Sequence, residues 1–141
     1  LLVDEKGQKN LFDSRVLVER TLVRDAALRA THKDIQNLRK ALEANYNAID
    51  DSTEFYRTDI EFHRALYCVG DNPIFSAVHE AYTSWLKPHW ISTPHSSARN
   101  EANYNAHETI MNAILDRNPD AAETALEAHL NASWDGSEFK P

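Results

Sequence analysis

Phe55, Phe62, Leu66 and Val69 recur at the intervals of one helix face, and Asp59 falls on the same stripe. A helix with this pattern must turn a carboxylate into an apolar interior or give up its buried face. An unpaired charge in such an interior costs several kcal/mol or neutralises itself, so the carboxylate needs a partner. One turn further on stands His63, and residues four apart are neighbours on a helix surface. A carboxylate and an imidazole aimed together into a core are both satisfied by one divalent cation. Asp-x3-His is a common spacing, however, and further ligands must come from elsewhere in the chain.

The rest of the chain reads as helix. It has 141 residues, enough for one domain with its own core, and three glycines among plentiful alanine, leucine and glutamate. Residues 1–10 read as the end of a linker, 11–134 as a helical domain and 135–141 as a tail. The first helix is expected over Leu11–Ala30, with Phe12, Val16, Glu19, Leu22, Val23 and Ala26 on one stripe. Thr31 followed by Asp34 resembles a capping box. The second helix is expected to run to about Ile49, facing inward with Ile35, Leu38, Leu42 and Tyr46. Asp50-Asp51-Ser52-Thr53 caps the third, and Gly70 with Pro73 separates it from a fourth that ends near Trp90. Two more helices follow, divided by a tight turn at Arg117-Asn118-Pro119-Asp120.

Those last two helices supply the missing ligands. Joined by so short a turn, they must pack antiparallel. His107 lies eleven residues before Asn118 and His129 eleven after it, so both should stand at one level of the hairpin. Each also sits on its helix's apolar stripe. A core-facing histidine is more often a hydrogen-bonded structural residue. The mirrored spacing together with the misplaced Asp59 reverses that preference for the set Asp59, His63, His107 and His129. His79 shares an inner face with Phe75 and Tyr82 and reads as core, while His32, His89 and His95 are expected to be solvated. Asn103, one turn before His107, is a candidate polar contact for a ligand. No Glu-x-x-His, His-Glu-x-x-His, Gly-rich phosphate loop or Gly-x-Ser-x-Gly elbow occurs, and no general base stands beside the metal set.

Charge narrows the function further. The formal net charge is −7, spread along the helices without a basic cluster, which argues against direct nucleic-acid binding by this domain. No apolar run reaches transmembrane length. The single cysteine, Cys68, rules out an internal disulfide, suits a reducing, cytoplasmic setting and is expected to pack in the core.

Taken together, Arg15-x3-Glu19, Asp59-x2-Phe62-His63, Gly70-Asp71-Asn72-Pro73, His107, Ala113-Ile114, Asn118-Pro119 and His129 resemble the FadR C-terminal domain. This is the all-helical effector-binding half of many bacterial GntR-family transcriptional regulators. The resemblance covers Leu11 to about Trp134, with one extra residue between Gly70 and Asn72. Asn72-Pro73-Ile74-Phe75, His79, Trp85-Leu86 and Ala128-His129-Leu130-Asn131 are most similar to its sialic-acid-responsive members.

The resemblance implies an all-α antiparallel bundle of six to seven helices with a central metal and ligand cavity. It implies a divalent metal, zinc before nickel or manganese, with positions open to an effector's carboxylate or hydroxyls, and Arg15 as that anion's partner. It also implies a homodimer, and contact with DNA only through a winged-helix domain that is not in this sequence. The expected function is ligand sensing, with a small carboxylated metabolite, a sugar acid, as effector. A metal-dependent enzyme built on a helical bundle is the alternative, and a purely structural metal is a third reading.

Overall fold

A computed structural model describes residues 4–135. Among these the chain forms six helices and no strand: α1 (Glu5–Arg29), α2 (His32–Asn47), α3 (Ser52–Cys68), α4 (Pro73–Ser92), α5 (Ser97–Leu115) and α6 (Pro119–Asp135). The all-helical expectation is met. The helix boundaries follow the capping chemistry. Thr31 and Asp34 form a reciprocal box, with Asp34 N–H donating to Thr31 Oγ1 at 3.1 Å and Thr31 N–H to Asp34 Oδ2 at 2.9 Å. Asp51 and Ser96 cap α3 and α5 with one bond each, accepting from Glu54 N–H and Arg99 N–H, and Asn72 precedes Pro73 at the first position of α4.

The first helix begins earlier than the apolar pattern indicated. Asp4 accepts from Gly7 N–H at 2.8 Å and starts α1 at Glu5, so residues 5–10 are helical. Residues 1–3 and 136–141 lie outside the described residues, and most of the expected tail falls there. α4 runs through Pro88 to Ser92, beyond Trp90.

The extra residue between α3 and α4 has a clear conformational role. Gly70 at φ 88° and Asp71 at φ 54° are both left-handed, and the chain reverses within two residues before Asn72 caps α4. A Cβ at Gly70 would touch nothing, so the dihedral angle alone favours glycine there.

α1 is the central helix, packing along α6 and also touching α3, α4 and α5. Val23, Ala26 and Ala27 are fully buried, and their small side chains let neighbouring backbones approach. The core continues through Leu38, Phe62, Leu66, Ile110, Ile114, Ala122 and Leu126. Three inner-face expectations fail. Phe75 is exposed on α4. Tyr46 is exposed, and Asn45 takes its place in the interior of α2. Cys68 is exposed at the end of α3, with Sγ 3.6 Å from Ser76 Oγ, because α3 turns its other side to the core there. No helix among the described residues is long and apolar enough to cross a membrane.

Candidate metal centre and effector cleft

The four residues singled out by periodicity and mirrored spacing meet. Asp59 and His63 come from α3, His107 from α5 and His129 from α6, and one ligand atom from each lies within 4.8 Å of all the others. The rings of His63, His107 and His129 stand 4.6–5.5 Å apart, centroid to centroid. Asp59 Oδ1 is 3.0 Å from His107 Nε2 and 3.3 Å from His63 Nε2. The Asp59 side chain is a third exposed, toward a cleft, while Oδ1 itself is buried among the imidazoles.

Protonation follows from this geometry. Burial alone would raise the Asp59 pKa, but His107 and His63, close against it, outweigh that and keep the carboxylate ionised. Burial lowers His129, reinforced by His107 and His63, and burial also prevails over Asp59 in lowering His107. Both of these rings are therefore neutral. His63 goes the other way. Burial opposes its charge, yet Glu19 and Asp59 on its two nitrogens raise it to about 9.

Each histidine has a different outer partner. His63 Nδ1 lies 2.6 Å from Glu19 Oε1, and Glu19 also accepts from Arg15 Nε at 2.6 Å and Tyr67 OH at 2.9 Å. Burial would raise Glu19, but Arg15 and His63 hold it far below the usual carboxylate range. The Arg15–Glu19 pair is thus intrahelical but anchored on a fully buried carboxylate. His107 Nδ1 meets Asn45 Oδ1 at 2.9 Å, and His129 Nδ1 meets Ser133 Oγ at a looser 3.4 Å. The Glu19 position on the apolar stripe of α1 hinted at an inward carboxylate. The place of Asn45, at intervals of four and three along Ile35-Leu38-Leu42-Asn45, carried a similar signal that the choice of Tyr46 obscured.

The donor set suits a divalent cation. Asp59 Oδ1 and His107 Nε2 are buried and face each other without a hydrogen bond, and a cation between them would satisfy both. Three imidazoles and one carboxylate are a donor set of the kind that holds a divalent transition metal.

The cleft beside this cluster is lined by Arg15, Asp59, His63 and Asn103, so both expected ligand contacts share one space with half of the metal set. Asn103 Oδ1 accepts from Ser133 Oγ at 2.7 Å. α4 forms the opposite wall with His79, Tyr82 and Trp90. His79 is not simple core: it is buried against Tyr67, its Nδ1 has no partner, and it borders the cleft. His89, expected to be solvated, also lines the cleft and stacks on Trp134 at 3.6 Å. His95 is exposed as expected, but its Nε2–H donates to Trp90 O at 3.0 Å and it reaches the rim. Stacks of Tyr56 on Trp90 and of Phe12 on Trp134 complete an aromatic lining.

Comparison with known proteins gives a consistent picture. The family model of the FCD domain matches residues 10–132. An HTH-type transcriptional repressor NanR of Salmonella newport is 43% identical over 125 residues, covering 85% of this chain and 48% of that protein. The chain therefore spans about half the length of this curated relative. Among solved structures, Streptococcus agalactiae GntR superposes with a TM-score of 0.80 at 23% identity, over 96% of this chain and 62% of that one. E. coli McbR/YncC gives 0.82 at 17% identity, over 94% and 68%. These two likenesses concern the fold.

Proposed function

The chain belongs to the FCD domain family, and from that premise we propose that it is the ligand-sensing domain of a bacterial transcriptional repressor. Its effector is a small carboxylated metabolite, a sugar acid, bound over a divalent metal held by Asp59, His63, His107 and His129. The observation that carries this reading is the meeting of those four side chains, with Asp59 and His63 facing a cleft that Arg15 also lines. The metal, zinc before nickel or manganese, would supply a Lewis-acidic anchor for an anionic oxygen.

The chain's own residues supply the remainder. Burial opposes the charge of Arg15, but Glu19, with Asp59 nearby, outweighs it and keeps the guanidinium cationic, and its fork suits a carboxylate. Asn103 and the unpaired Nδ1 of His79 offer neutral polar contacts. Aromatic faces at Tyr56, Trp90 and Trp134 suit the apolar face of a sugar ring. Sensing then follows by linkage: an effector that binds one arrangement of a dimer better shifts the population of DNA-competent states by its differential affinity. DNA contact belongs to a separate winged-helix domain.

The test is a thermal-shift screen of hydroxy acids and sugar acids, sialic acid among them, with and without chelator, beside metal analysis. Metal that binds only the folded chain raises its melting temperature by mass action, so chelation should lower it without unfolding the bundle. A sugar acid should raise the melting temperature of the loaded form and leave the stripped form nearly unchanged. Arg15→Lys, which keeps a countercharge for Glu19 but loses the fork, should reduce that ligand shift. Equal shifts in both forms would remove the metal from the binding site, and consumption of the ligand would point to an enzyme.

A further inference from the structure

We propose that Asn45 is a positioning residue that decides which nitrogen of His107 faces the metal centre. It does so as the middle of a one-way hydrogen-bond chain that starts on the backbone of α3. The geometry stands by itself, while its purpose rests on the metal reading above.

Asn45, Thr58 and His107 are 0%, 2% and 0% exposed, so water cannot substitute for any of their bonds. Thr58 has a single hydroxyl proton, and Oγ1 lies 3.0 Å from both Glu54 O and Phe55 O. Carbonyl oxygens only accept, so that proton is committed to the helix backbone. Oγ1 is left to accept, and Asn45 Nδ2 donates to it at 2.9 Å. With its amide nitrogen thus turned to Thr58, Asn45 presents Oδ1 to His107 Nδ1 at 2.9 Å. That oxygen accepts too, so Nδ1 must carry the hydrogen. In the neutral ring Nε2 is then bare, 3.0 Å from Asp59 Oδ1.

This explains why Asp59 Oδ1 and His107 Nε2 are the buried atoms at the centre without partners. Were the hydrogen on Nε2, His107 and Asp59 would close into a self-satisfied pair and a cation would have to break it. Asn45 prevents that closure and keeps both lone pairs available. The other two histidines are held differently: Glu19 holds His63 by charge, and Ser133 Oγ, its one proton given to Asn103 Oδ1, can only accept from His129 Nδ1, at a looser 3.4 Å. α2, which gives no ligand and does not line the cleft, takes part in the site through this one side chain.

The experiment uses the whole chain and zinc as the probe, with affinity read by competition against a chromophoric chelator. Asn45→Leu removes the acceptor at similar volume and should weaken zinc by about 10–100-fold, the usual loss for an outer partner of a ligand. Asn45→Asp can only accept and should hold within a few-fold of the parent. Thr58→Val frees the amide to turn and should fall between them. Circular dichroism of the stripped proteins separates a folding defect from a site defect. If Asn45→Leu does not fold, the Asp and Val variants decide. Nitrogen-15 NMR of the stripped parent reads the His107 tautomer directly, and hydrogen on Nδ1 is expected. Hydrogen on Nε2, unchanged zinc affinity in folded Asn45→Leu, or equal losses in the Leu and Asp variants would each overturn the proposal. Failure of the parent to bind zinc would sink the metal reading, and the tautomer measurement would still judge the chain.

Discussion

His79 carries a pH signature separable from the metal ligands. Burial first, and then the charge of His63, lower its pKa to about 4, although Glu19 pulls the other way and Arg15 and Arg64 add to the lowering. In the unfolded chain an imidazole titrates near roughly 6.5. Because the folded value lies below the unfolded one, the stability that His79 contributes is present above about 6.5. It is lost as pH falls toward about 4, where the folded ring also takes its proton. The melting temperature of stripped protein should therefore decline over that interval, and His79→Phe should decline less steeply when both are followed by calorimetry. His107 and His129 add to the same acid limb, so the slope is reduced and not abolished. At this scale the convergence of Asp59, His63, His107 and His129 was legible because charge on an apolar stripe and mirrored spacing are properties of the chain alone. The roles of Asn45, His79 and Ser133 were not, because each depends on what a different helix brings opposite it.

The termini of the helices show where local chemistry suffices and where it does not. Thr31, Asp51 and Pro73 announce helix starts by residue type, and the structure follows them. Asp4 does not announce a helix start, because Gly7 in the first turn resembles a linker residue, yet its N–H is the one the cap binds. The turn between α5 and α6 is harder still. Arg117 N–H donates to Ile114 O and Asn118 N–H to Ala113 O, a Schellman closure with Arg117 at φ 55° where glycine is usual. The arginine is there for its side chain. Nη2 donates to Ala30 O at 2.8 Å, with Nη1 3.4 Å from Ala26 O and Ala27 O, so it closes the C-terminus of α1. Arg117→Ala should cost roughly 1–2 kcal/mol, between the helix-dipole and charged hydrogen-bond figures. Arg117→Gly loses the same contacts but relieves the left-handed strain, and should be less destabilised than Ala by about 1 kcal/mol. Urea unfolding of the two variants beside the parent checks both the size and the order.

Over the whole molecule, the burial of the helices is unequal. α1, α3, α5 and α6 share the core and surround the cluster of Asp59 and three histidines, whereas His79 is the one residue of α4 that is buried. Ile74, Phe75 and Ile91 on that helix remain exposed. Few buried contacts mean a low free energy of local opening, so amides of α4 should exchange with deuterium sooner than those of α1 and α5. A bound sugar acid should slow α4 selectively, as followed by mass spectrometry. Equal protection of all six helices would contradict this hierarchy. The same inequality bears on how such a domain can diversify. Substitutions at Tyr82, Thr83, Leu86 or Trp90 alter the wall of the cleft on a helix that contributes little to the core. A lineage could therefore exchange one metabolite for another by drift along α4, keeping Asp59 and its three histidines, and selection would act on recognition and stability nearly independently.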